Sequence, residues 1–233
     1  MPLPFAPVPF LLISLVLLLR AELKEPRDKR QIKVWKPLAT VLCIAIAALS
    51  FTQTGVAPLY SLLVIAGLVF SLAGDWFLID SDVRPRNFAL GLGAFLVGHL
   101  FYIAAFTAAQ VLRGVQLDLN REVGIASLLI ILAMVTYLYM RPSLGGMAQP
   151  VLLYITVISL MAHRAIAGVS IGAGLLSQGT LAAGGALLFY ISDFMLAINR
   201  FVFDGEGKAN SVWVLSTYYC AQLFIALSAS FVL

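Results

Sequence analysis

Eight apolar runs, each long enough to cross a lipid bilayer, fill most of this 233-residue chain. They fall at residues 3–19, 37–53, 59–79, 88–109, 122–140, 149–167, 180–198 and 212–232. A helix needs about 20 apolar residues to span a hydrocarbon core about 30 Å thick. With 61% hydrophobic and 11% charged residues, the chain has more apolar surface than a soluble core of its size can hide. Soluble, disordered and collagen-like chains are excluded. The runs are unbroken, whereas barrel strands alternate apolar and polar residues, so the backbone must satisfy itself within helices. The expected fold is an all-α integral membrane protein, a bundle of eight transmembrane helices in a single polytopic domain over residues 1–233. Turn-forming stretches separate the runs, among them Glu25-Pro26-Arg27, Arg84-Pro85-Arg86, Arg141-Pro142 and Asp204-Gly205-Glu206-Gly207.

Orientation follows from the basic residues. Twelve of the 15 Lys and Arg residues lie in the loops after spans one, three, five and seven, or at their edges. Only Arg113, Arg121 and Arg164 fall on the other side. The twelve-residue side is expected to be cytoplasmic, with both termini non-cytoplasmic, in either a bacterial inner membrane or an endoplasmic reticulum. No basic segment precedes the first run, so no cleaved signal peptide is expected. The net charge of +4 sits mainly in one loop and does not point to nucleic acid. Cys43 and Cys220 lie in apolar runs and read as small buried hydrophobes.

An ionisable side chain inside a span costs roughly 2.5–3.5 kcal/mol on the insertion scale unless it faces a partner or a cavity. Such residues therefore carry the functional signal. Asp75 lies about four residues from the end of span three, and Asp193 about five from the end of span seven. At 1.5 Å per residue both sit roughly 6–8 Å inside the hydrocarbon boundary. Their surroundings repeat: Gly74-Asp75-Trp76-Phe77-Leu78 resembles Ser192-Asp193-Phe194-Met195-Leu196, and His99-Leu100-Phe101 in span four resembles Gln222-Leu223-Phe224 in span eight. Four spans separate each pair, as two parallel four-helix halves would require. The two acids are either a shared polar pocket or independent hydrogen-bonding glue between helices.

His99 falls mid-span, where it serves either as a structural hydrogen-bonding residue or beside the acids. His163 and Arg164 lie toward the opposite end of span six, a natural headgroup position. Two histidines cannot form a three-histidine zinc site, and neither a metal nor a cofactor is expected. Tyr102, Tyr154, Tyr190, Tyr218 and Tyr219 bring hydroxyls into spans, where core packing with one hydrogen bond is the ordinary role. Lys36 precedes Pro37 at the level of the acids, as a snorkelling charge or as a contact for phosphate.

At these residues the chain resembles the lysoplasmalogenase family, the YhhN-like eight-span membrane proteins. The matching stretches are Ser71 to Leu78, Ala94 to Tyr102, Tyr154 to Arg164, Gly185 to Asp193, and Ser216 to Leu223, together with Lys36-Pro37. The resemblance implies hydrolysis of the vinyl-ether bond of a lysophospholipid to a fatty aldehyde and a glycerophospho headgroup. That reaction protonates a carbon, forms an oxocarbenium ion and adds water. It needs one carboxylic acid bearing a proton and one ionised carboxylate, a division of labour akin to glycoside hydrolysis. Asp75 and Asp193 are the expected pair, with His99 orienting a carboxyl or the water and Tyr102 supporting it. Lys36 and Arg164 are the expected phosphate contacts, and Tyr154, Ser192, Tyr218 and Tyr219 the remaining substrate contacts. The rival class is a proton-coupled transporter of small molecules or lipids, because intramembrane acids and internal repeats mark carriers too. Beyond lipid, the residues imply no partner and leave the oligomeric state open.

Overall fold

A computed structural model describes residues 3–116, 118–170, 172, 174–203 and 208–231. Among these the chain is helical without strands: α1 (Val8–Leu23), α2 (Lys29–Leu49), α3 (Pro58–Ile79), α4 (Pro85–Leu112), α5 (Leu119–Leu144), α6 (Ala148–Ala167), α7 (Gln178–Phe201) and α8 (Lys208–Ser228), with short 3-10 turns at three ends. Seven segments have the length and apolarity to cross a membrane. One of them, Leu119–Ala167, runs 49 residues, about 74 Å of helix at 1.5 Å per residue. That is over twice the hydrocarbon thickness. The chain breaks there at Gly145, whose φ of 50° and ψ of −128° end α5, and α5 and α6 pack against each other as two passes. The protein is a multi-pass, all-α membrane protein.

Local chemistry sets the helix ends. Asp28, Asp118 and Ser177 each accept a hydrogen bond from a backbone N–H in the first turn of α2, α5 and α7. The Lys24 ammonium, bonded to Asp28 outside the spans, holds that carboxyl below its ordinary range. Pro58 and Pro85 open α3 and α4, where the missing N–H costs nothing. At the far end of α6, the guanidinium of Arg121 donates to the Ile166 and Val169 carbonyls, and Arg113 donates to Gly168. Carbonyls in the last turn of a helix lack full helical pairing, so these two arginines close the end of α6.

The tightest pairs are α3 with α4 and α7 with α8. Both depend on glycine at the contact. A methyl at Gly74 would lie 2.5 Å from the Phe95 ring, and one at Gly185 would lie 2.7 Å from Ile225 and 2.9 Å from the Ala221 carbonyl. The pairings repeat across the chain. In the first half α1 packs on α2, α2 on α3 and α3 on α4; in the second α5 packs on α6, α6 on α7 and α7 on α8. Across the halves, α2 meets α8 and α4 meets α6. Apolar side chains such as Ile130, Ile131 and Leu138 of α5 face outward, toward lipid in a bilayer.

Candidate active site

Asp75, on α3, is 1% exposed. Its Oδ2 accepts hydrogen bonds from Thr40 Oγ1 on α2 (2.5 Å) and from the Tyr218 hydroxyl on α8 (2.8 Å). The Lys36 ammonium stands 3.5 Å from Oδ1. One turn of α2 separates Lys36 from Thr40, so both reach the same carboxyl. A buried charge is tolerated only when paired and hydrogen-bonded, and Asp75 has both provisions.

Asp193, on α7, has a different shell. Its Oδ2 accepts from the Tyr154 hydroxyl of α6 at 2.5 Å. His99 Nε2 of α4 lies 2.9 Å from that hydroxyl and 3.3 Å from Oδ2. A proton on Nε2 lets the imidazole donate to this oxygen pair. Nδ1 is buried with no partner among the described residues.

The two shells have the same plan. Each aspartate is held by the preceding helix of its own half, α2 for Asp75 and α6 for Asp193. Each is completed by the last helix of the other half, α8 through Tyr218 and α4 through His99. Tyr218, one turn before Gln222, therefore occupies the place opposite His99. The sequence match had set Gln222 there, but its buried amide makes no hydrogen bond among the described residues.

Both carboxyl groups line one cavity of about 200 Å³, together with Lys36, Ser192, Tyr218, Phe95, Arg27 and Arg200. Beside it runs an apolar slot walled by Met140, Val151, Tyr154, Ile155, Ile158 and Phe194. Asp193 lines both spaces, as do Leu78, Phe88, Phe95 and Leu196, whereas Asp75 lines only the polar one. An amphiphile with its chain in the slot and its polar end in the cavity would therefore set its junction at Asp193.

Of the residues singled out from the sequence, Asp75, Asp193, Lys36, Ser192 and Tyr218 border the polar cavity, and Tyr154 borders the slot. His99 touches Asp193 from behind. Three residues fall elsewhere. Tyr102 lies over Gly67 with its hydroxyl 3.4 Å from Ser71 and makes no hydrogen bond to His99. Tyr219 donates to the Lys36 carbonyl at 2.8 Å and braces α2. Arg164 is at the opposite end of the bundle, bonded to Gln110 and 3.5 Å from Glu122. A cation two to three turns beyond Tyr154 cannot reach a ligand beside Asp193. Ser192 donates to the Val214 carbonyl, so its hydroxyl serves the α7–α8 contact as well as the cavity wall.

Sequence reasoning missed Thr40, Phe95, Arg27 and Arg200. Two of these were accessible by helical spacing, because Thr40 follows Lys36 by four residues and Arg200 follows Asp193 by seven. Among the described residues no three His, Cys, Asp or Glu side chains gather as a metal site.

The YhhN family model matches residues 31–229. The chain is 37% identical over 168 residues to "Lysoplasmalogenase TMEM86A" of Bos taurus, covering 71% of this chain and 64% of that protein. It is 33% identical over 198 residues to "Lysoplasmalogenase TMEM86B" of Homo sapiens, covering 82% and 74%. A "Lysoplasmalogenase" of Mycobacterium bovis is 29% identical over 164 residues, covering 69% and 58%. The chain thus spans a little under two thirds of the cattle relative's length. No solved structure matches.

Proposed function

The chain belongs to the YhhN family, and from that premise we propose that it is an intramembrane hydrolase of the vinyl-ether bond of lysoplasmalogens. The observation that carries the reading is Asp193 at the seam between apolar slot and polar cavity, with Asp75 on the same cavity wall. In a lysoplasmalogen the vinyl ether is the seam between hydrocarbon chain and glycerophospho group.

The neighbours divide the labour. Asp75 faces the Lys36 ammonium at 3.5 Å and acts as the base. Asp193, at the seam where the vinyl carbon would lie, is the acid that supplies the proton. Asp193 delivers that proton to the vinyl carbon remote from oxygen, leaving an oxocarbenium ion. Asp75 stabilises the positive charge and takes a proton from water as the water oxygen bonds to the cationic carbon. The hemiacetal then collapses: Asp193 accepts the hydroxyl proton, the glycerol oxygen leaves with the proton held by Asp75, and aldehyde and alcohol depart. Both carboxyl groups return to their starting states. His99 and Tyr154 fix the rotamer of Asp193, and Thr40 and Tyr218 that of Asp75.

The cavity borders on Arg27, Asp82 and Arg200, which belong to the basic end of the bundle. With that end cytoplasmic and both termini opposite, the substrate is drawn from the cytoplasmic leaflet into a single polytopic domain.

The test is purified protein in detergent with lysoplasmalogen and with its saturated alkyl-ether analogue. Aldehyde release from the vinyl ether alone is the expected result, because the saturated ether offers no carbon to protonate. A carrier would release none from either, and cleavage of both would remove the protonation step.

A further inference from the structure

Three cations border the polar cavity, and two are already engaged. Lys36 faces Asp75. Arg27 is clamped at two points by Glu22, Nε to Oε2 at 2.7 Å and Nη2 to Oε1 at 2.8 Å. Arg200 has no acidic partner among the described residues, and its guanidinium lies 5.2 Å from the centroid of the Phe88 ring. An aromatic face holds a guanidinium in place while leaving its N–H groups unspent.

Its position suits a ligand. Arg200 follows Asp193 by seven residues on α7, two turns along one face and about 10.5 Å up the helix axis. Phe88 borders both the slot and the cavity, so Arg200 is fixed by a wall residue shared between the two spaces. In a glycerophospholipid with a vinyl ether, seven bonds run from the carbon that takes the proton to phosphorus. Their extended reach is about 9 Å for bonds near 1.5 Å. With that carbon at Asp193 and the chain in the slot, the phosphorus arrives beside Arg200.

Resting on the hydrolase reading, we infer that Arg200 binds the phosphodiester of the substrate and selects phosphorylated lysolipids over uncharged alkenylglycerols. The planar guanidinium, always charged, suits two-point contact with phosphate oxygens. Phe88 is its positioning residue.

The test compares a lysoplasmalogen with the phosphate-free 1-alkenylglycerol of the same chain, and measures binding of the non-cleavable alkyl-ether lysophospholipid. Arg200→Gln is expected to raise KM for the phospholipid about tenfold to hundredfold, the scale of a charged hydrogen-bonding contact, and to lower the preference for it over alkenylglycerol by a similar factor. Arg200→Lys recovers part of that preference. Glycerophosphoethanolamine, which carries the phosphodiester without the chain, competes with wild type better than inorganic phosphate does. Equal losses of kcat/KM on both substrates in Arg200→Gln, or equal competition by inorganic phosphate, overturn the assignment. If the wild type cleaves neither lipid but binds the alkyl-ether analogue with Arg200-dependent affinity, the subsite stands and the hydrolase reading falls.

Discussion

At the scale of single residues, the two aspartates share a role in sequence and differ in company. Asp75→Asn and Asp193→Asn are each expected to cut kcat by 10²–10⁴-fold, the range typical of general acid–base groups. Both variants should still insert and fold, with Asp75→Asn unfolding at a lower temperature because it leaves the buried Lys36 ammonium unpaired; retained turnover in either excludes the pair. His99→Ala should cost less than either, since the imidazole acts through Asp193. Tyr154→Phe and Tyr218→Phe each remove one buried hydrogen bond to an aspartate, a loss of roughly tenfold in kcat, read in steady-state assays. The acids were legible in the sequence because hydrocarbon leaves few places for charge. Their partners were less so. Serine, threonine and tyrosine are common in spans for packing alone, and spacing does not say which hydroxyl turns toward the carboxyl. Tyr102 and Tyr154 looked alike in sequence, but one packs over Gly67 and the other bonds to Asp193. Arg164 ends the family stretch that begins at Tyr154, but ten residues of helix carry it away from that tyrosine.

At the scale of elements, apolar runs marked the cores of the helices and not their ends. Span three and α3 differ by one residue at the start, Pro58 against 59. Helix α2 begins at Lys29, eight residues before its span. Those eight residues include three Lys and one Arg, which hydropathy assigns to a loop. The Asp28 cap and the ion pairs of Lys29 with Asp82 and Lys33 with Asp80 keep them helical. Close helix contacts offer a separate check. Gly185→Ala should destabilise α7 on α8 by about 1–3 kcal/mol through overpacking, seen as a lower unfolding temperature in detergent. Gly93→Ala, with open space around the position, is its control and should leave that temperature unchanged.

At the scale of the whole molecule, the orientation proposed from basic-residue bias is directly measurable. In a background lacking Cys43 and Cys220, Lys24→Cys should react with an impermeant maleimide only from the cytoplasmic side, and Gln53→Cys only from the other. The reverse pattern would invert the proposed topology. The repeated helix pairings were partly readable from the aspartate motifs, but the exchange of partners between halves was not, because it depends on α2 meeting α8 and α4 meeting α6. That exchange has a consequence for biogenesis. Asp75 gains its Tyr218 bond only after α8 enters the bilayer, so a chain still being threaded through the translocon holds an unfinished site. On the proposed reading, newly made protein has no complete acid pair until α8 is inserted.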